Sequence, residues 1–296
     1  MNTTGHRAHS MPELTALLGK VFRPEEIAQG FDVQLRADDV VITPFAKSGT
    51  TWLQQMVHTL RTGGDMDFDD ISRVIPWIET SAALDIDLEA EQVARPRAFK
   101  SHLPYHLIPK GGKYINAVRN PGDALYSMYK FMEGWFLEPG AVSLGDFAHQ
   151  RFMESRDYWK HLLSWWPQRR EDNVLFLAYE HMVQAPEQTI IRVADFIGVP
   201  LNDRLLQTAL QHTSLTFMLE HKDRFDDAMM RQLSERRCKL PSGSDSAKVR
   251  EGKIGSHREK LSTELIEALN AIWREEITAT LGFKSYQTLI EALDQD

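Results

Sequence analysis

The sequence predicts one three-layer α/β domain, with helices on both faces of a central, mostly parallel sheet. Three observations carry that expectation. Four short apolar segments read as buried strands: Val40–Thr43, Arg97–Lys100, Tyr114–Arg119 and Val174–Tyr179. Helical apolar spacing separates them, the pattern of repeated βα units. Near residue 45 the apolar run VVIT breaks into a small polar loop, and WLQQMVHTL then resumes with the spacing of an amphipathic helix.

A chain of 296 residues with 42% hydrophobic content can bury a core of this size. Seven tryptophans and fourteen phenylalanines suit a packed interior with an aromatic-lined pocket. No repeat, low-complexity tract or Pro/Gly/Ser-rich linker divides the sequence, so a single domain over residues 1–296 is expected. No apolar run approaches the roughly 18 residues of a membrane span, and the N-terminus lacks the apolar stretch of a secretory signal. Cys238 is the only cysteine, which excludes an internal disulfide or a cysteine-based metal cluster. It reads as an incidental thiol in a charged stretch. These features together predict a cytoplasmic protein. A net charge of −8 argues against nucleic acid as a partner, so any anionic ligand needs local basic residues held against the overall field.

The first strand delivers such a place. Lys47, Ser48, Gly49, Thr50 and Thr51 form a turn with exposed backbone N–H groups, one ammonium and three hydroxyls, and the following helix points its positive end at the same spot. A phosphate or sulfate fits that description. The loop is not a Walker A motif, because lysine precedes glycine and no glycine stands at the required upstream position.

The second strand ends in Lys100-Ser101-His102. Side chains at the carboxyl end of such a strand lie where open α/β sheets bind ligands. Lys100 and His102, two apart, share one side of the strand, and His102 can act as a base near neutral pH. Taken alone, His102 reads equally well as a structural residue before Pro104. His106 lies past that proline and reads as a loop residue. The third strand runs into Arg119-Asn-Pro-Gly-Asp123, in which Pro121 suits a helical first turn and Asp123 its positive end. Arg119 at the strand end and Ser127 in the helix could reach one phosphate; an Arg119–Asp123 surface pair is the plain alternative. Trp165 and Trp166 read as core aromatics. Asp223 to Val249 is charged and weakly periodic, the signature of a mobile loop or lid. A last amphipathic helix, Ser262–Thr280, opens with Ser262 as N-cap and Glu264 in the first turn.

Lys47 to Trp52 match residue for residue the end of the Tyr-Pro-Lys-Ser-Gly-Thr-Thr-Trp loop of the cytosolic sulfotransferases, with Phe45-Ala46 in place of Tyr-Pro. Lys100 to Pro104 resemble that family's Lys-Thr-His-Leu-Pro, and Arg119 to Asp123 its Arg-Asn-Pro-Lys-Asp, with Gly122 for lysine. Tyr179 falls in a segment similar to its Tyr-Glu-Asp-Met, and Thr213 in one similar to Thr-Ser-Phe-x-x-Met, with Leu215 for phenylalanine. Val249 to Ser262 resemble Arg-Lys-Gly-x-x-Gly-Asp-Trp-Lys: Arg250, Gly252 and Gly255 match, whereas Glu251 replaces lysine and Ser256-His257 replace Asp-Trp. The family's dimer motif survives only as Arg258, Ser262, Thr263 and Glu267, and no dimer is inferred. The resemblance runs in order from Asp39 to Gly282.

It implies transfer of a sulfuryl group from PAPS (3′-phosphoadenosine 5′-phosphosulfate) to a small acceptor, releasing PAP (adenosine 3′,5′-bisphosphate), without a metal. Lys47 to Trp52 would form a P-loop-like cradle for the 5′-phosphosulfate. Arg119, Ser127, Arg250 and Gly252 would hold the 3′-phosphate, and Tyr179 and Thr213 the adenine. His102 would deprotonate the acceptor hydroxyl or amine, with Lys47, and Lys100 as a second candidate, neutralising developing charge. The acceptor pocket is expected from residues 65–88, 131–144 and 223–249, whose Trp77, Phe131, Trp135, Phe136, Met229 and Met230 suit an apolar or aromatic acceptor. Two other readings remain: a P-loop-class nucleotide kinase, which needs Mg²⁺ and a Walker loop, and a non-catalytic PAP- or nucleotide-binding protein, which needs no base.

Overall fold

The computed structural model describes residues 5–246 and 248–293. Helix α1 (Met11–Val21) opens the chain, capped by the Ser10 side chain on the Glu13 N–H. Strand β1 (Val40–Ile42) follows, then helix α2 (Thr50–Thr62), strands β2 (Ala98–Lys100) and β3 (Lys113–Val118), and helix α3 (Pro121–Trp135). Helix α4 (Asp157–Trp165), strand β4 (Val174–Ala178) and helix α5 (Pro186–Ile197) come next. Helices α6 (Ala228–Cys238) and α7 (Thr263–Trp273) complete the main elements. Each strand falls within about two residues of its sequence expectation, which is the usual uncertainty of an element boundary.

The four strands pair in the order β2-β1-β3-β4, and every pair is parallel. Alternation along β1 makes the three layers. Val41 packs with Phe99, Tyr114, Trp135, Trp159 and Trp165 on one face, whereas Val40 and Ile42 join Leu53, Met56 and Val57 of α2 and Ile190 and Val193 of α5 on the other. Trp165 and Trp166 are core residues, as expected.

A buried ion pair fixes the sheet at its entry edge. Arg97 donates through Nε to Asp39 Oδ1 at 3.0 Å and through its two terminal nitrogens to Asp39 Oδ2 and the carbonyls of Leu88 and Gln34. Both side chains are 1% exposed. The two residues stand immediately before β1 and β2, so the pair sets the register of those strands.

The C-terminal helix is where its caps place it, with the Ser262 hydroxyl accepting from the Leu265 N–H at 3.3 Å. The stretch 223–249 departs from the loop expectation. It contains α6, whose Met230, Leu233 and Cys238 are buried. The Trp135 indole N–H donates to Ser234 Oγ at 2.9 Å, Arg237 bonds Glu26, and Cys238 packs at 3.5 Å from the Leu17 carbonyl. Basic residues on the outer face hide that narrow apolar stripe from a periodicity reading. Cys238 is accordingly a core thiol, which burial pushes above its usual pKa. No helix of the described residues is long and apolar enough to cross a membrane.

Candidate active site

The strands' carboxyl ends open onto one cavity of about 1140 Å³. Its floor is the loop after β1. Lys47 at φ 70° and Gly49 at φ 96° bend the backbone tightly there, and a Cβ on Gly49 would stand 3.0 Å from the Tyr179 ring. Phe45 anchors the loop edge-on against Tyr158 and Phe152. Helix α2 starts at Thr50 and so aims its N-terminus along the loop.

Several buried donors at the cavity have no hydrogen-bond partner among the described residues: the Thr50 hydroxyl, the Trp52 indole N–H and Arg119 Nε. Leaving such groups unmade costs about 1–3 kcal/mol each, so their clustering fits an anion with several acceptor oxygens. Lys47, Gly49, Thr50, Thr51 and Trp52 line the cavity. Ser48 is fully buried behind the loop and does not. The Lys47 ammonium lies 4.4 Å from the centre of the Phe131 ring. Burial first, then the charges of Lys248 and Arg119, push it well below its ordinary pKa.

Arg119 ties this loop to the segment 250–257. It donates to the Lys47 carbonyl at 3.0 Å and the Lys253 carbonyl at 3.2 Å, over the Tyr179 ring at 4.3 Å. The Arg119–Asp123 pair does not form. The Asp123 carboxylate instead accepts from the backbone N–H groups of Gly255 and His257 at 2.7 and 2.8 Å, and sits 2.9 Å from His257 Nδ1. Ser127, Tyr179, Thr213, Arg250 and Gly252 all reach the cavity wall. Thr213 spends its hydroxyl proton on the Ala209 carbonyl at 2.7 Å. Arg250 lies over Tyr126 at 5.1 Å and 3.8 Å from Glu251, whose side chain is 45% exposed.

At the other end stand His102 and Lys100. His102 Nδ1 is 2.8 Å from the Pro44 carbonyl. A carbonyl only accepts, so Nδ1 carries the hydrogen and Nε2 keeps its lone pair. Burial, then the Lys100 charge, depress the imidazole well below its usual pKa, so the ring is neutral at pH 7. Lys100 is 3.8 Å from the centre of the Trp77 ring and falls to about 8, through burial partly offset by Asp227. His106 is exposed in the turn after Pro104.

Sequence reasoning missed Glu79, Asp227 and Lys248. The Glu79 carboxylate accepts the His102 backbone N–H at 2.6 Å, and burial raises its pKa. Asp227 and Lys248 come from the stretch read as a loop. The acceptor wall also differs in part. Trp77, Phe131, Trp135 and Phe136 line the cavity, but Met230 belongs to the core and Met229 lies outside the lining; Leu18 of α1 and Phe22 at its C-terminal cap take part instead. Among the described residues, no cluster of three or more His, Cys, Asp or Glu is arranged to hold a metal ion.

Comparison with known proteins gives a consistent picture. The sulfotransferase domain profile matches residues 37–281. Sulfotransferase 1B1 of Canis lupus familiaris is 28% identical over 260 residues, covering 83% of this chain and 85% of that protein. Sulfotransferase 2A2 of Rattus norvegicus is 32% identical over 199 residues, 63% of this chain and 68% of the relative. Among solved structures, retinol dehydratase in complex with androsterone and inactive cofactor PAP superposes with a TM-score of 0.68 at 20% identity, over 92% of this chain and 96% of that one. A mouse sulfotransferase complexed with PAP gives 0.67 at 22% identity, over 93% and 95%. Both share the fold.

Proposed function

Because the chain belongs to the sulfotransferase-domain family, we propose that it moves the sulfuryl group of PAPS to a hydroxyl or amine of a small apolar or aromatic acceptor, with His102 as general base. The observation that carries this reading is the convergence of the Lys47 loop, His102 and the Arg119–Arg250 wall on one cavity. PAPS supplies an activated sulfuryl group, whose S–O bond to PAP breaks as the acceptor oxygen or nitrogen bonds to sulfur.

His102 Nε2 takes the acceptor's proton, held in the right tautomer by the Pro44 carbonyl. Lys47, with Lys100 beside it, balances charge that grows on the departing oxygen. The same lysine charge depresses the imidazole, so an anion that neutralises Lys100 raises the basicity of His102 when it is needed. Arg119 and Arg250 hold the 3′-phosphate with Ser127 and the Gly252 turn, and Tyr179 and Thr213 border the adenine. Leu18, Phe22, Phe131, Trp135 and Phe136 give the acceptor side an apolar wall and keep water from the reacting centre.

PAP is expected to raise the melting temperature in EDTA, and AMP or adenosine 5′-phosphosulfate to do so much less. Equal stabilisation by ATP that requires Mg²⁺ would overturn the reading in favour of a kinase. Glu251 provides a second test, because its carboxylate competes for Arg250. Exposed pairs are worth about 0–1 kcal/mol, so Glu251→Gln tightens PAP by no more than that in calorimetry. A looser complex would mean that Glu251 supports the site.

A further inference from the structure

Lys248 and Asp227 have no role in the mechanism above, yet both are buried against its reacting end. The Asp227 side chain is 1% exposed and that of Lys248 7%. One Asp227 oxygen lies 4.0 Å from Lys100 Nζ and the other pairs with the Lys248 ammonium. The Ser72 hydroxyl stands 3.4 Å from the first oxygen. Asp227 adopts φ 49° at the residue before α6, a left-handed conformation that Asp and Asn tolerate, so its carboxylate is aimed by a fixed backbone. Its burial would raise its pKa, but Lys100 and Lys248 outweigh that and hold it at about 2.

Asp227 offsets only one of the two ammonium groups it lies between, the Lys47 ammonium adds to them, and burial pushes the other two carboxylates here, Glu79 and Asp70, toward their neutral form, so positive charge prevails in this dry wall. Such a charge is costly unless an anion meets it, and a cation already in place is what a transferring anionic group needs. Lys248 and Asp227 line the same cavity as Lys47, Lys100 and His102, which locates them at the transfer end. Two residues beyond Lys248, Arg250 faces the same cavity, so one short segment serves both ends of the cosubstrate.

Resting on the sulfotransferase reading, we propose that Lys248 is a third cation acting on the transferring sulfuryl group, and that Asp227 is a positioning residue holding Lys248 and Lys100 in place. The groups that face Lys100 are Asp227, Lys248, Glu79 and Asp70, with His102 and the Trp77 ring alongside.

The test compares Lys248→Met and Asp227→Asn, the latter keeping both shape and left-handed backbone. With an aliphatic alcohol acceptor that does not titrate, the alkaline limb of wild-type kcat/KM falls near pH 8, where Lys100 loses its proton. Asp227→Asn removes a negative neighbour and moves that limb to lower pH. Lys248→Met removes a positive one and moves it to higher pH. Opposite shifts are expected of charges coupled to Lys100, and the preference for PAPS over PAP is the readout that a merely structural role does not move. Lys248→Met also lowers kcat roughly 10²-fold, as loss of one preorganised charge does. By calorimetry without acceptor it weakens PAPS but not PAP, which lacks the sulfuryl group. Limbs that stay put or move together, or an unchanged preference for PAPS over PAP, overturn the proposal while the sulfotransferase reading stands. A wild-type protein that binds neither PAP nor PAPS overturns both.

Discussion

Replacing His102 by alanine is expected to lower kcat roughly 10²–10⁴-fold, the contribution of a positioned general base. PAP affinity and the melting temperature should stay near wild type, because the proposed cosubstrate site draws on the Lys47 loop, Arg119 and Arg250 rather than on this imidazole. His106→Ala serves as the control, since that ring is exposed in the turn beyond Pro104. Single-turnover measurement on a confirmed acceptor decides the matter. Retained turnover in His102→Ala, or its loss in His106→Ala, removes His102 from the mechanism. The acid limb of the wild-type profile should lie well below the usual histidine range, because burial and the Lys100 charge both favour the neutral ring.

The largest stability effect is expected from Asp39→Ala. It leaves the Arg97 guanidinium, 1% exposed, with only the half-exposed Glu89 carboxylate at 3.5 Å to oppose its charge. Breaking a buried pair by removing one partner costs about 3–5 kcal/mol. The double variant Asp39→Leu with Arg97→Met should cost less than Asp39→Ala alone, since no unpaired charge is left behind. Urea denaturation of the three proteins checks both statements. Equal losses in the single and double variants would show that packing rather than charge holds the strand edge.

The sheet and the anion loop were legible because each rests on local pattern. Val40–Ile42 and Val174–Ala178 are unbroken apolar runs, and Lys47 to Thr51 sit where such a run stops. Helix α3 was legible from Pro121 and Asp123, whereas the partner of Asp123 was not. Its carboxylate is taken by a segment 132 residues away, which no local pattern announces. The helix at 228–238 was missed because three or four buried side chains among basic neighbours leave little periodicity. Glu79, Asp227 and Lys248 were missed for a related reason. Charged residues in irregular sequence look solvated until the fold encloses them, and only their burial shows that they belong to the cavity.

The cavity takes its walls from Thr15 to Ser256, so no short fragment of the chain contains it. A ligand seated there holds the first helix, the sheet and the late segment together. Its binding energy is therefore shared by the whole fold and offsets damage wherever the damage lies. At a free concentration one hundred times its Kd, a ligand adds about 2.7 kcal/mol to folding stability. That gain is comparable to the loss from an ordinary core substitution. The cellular abundance of marginal variants of this protein should thus follow the supply of cosubstrate, even when the altered residue lies far from the cavity.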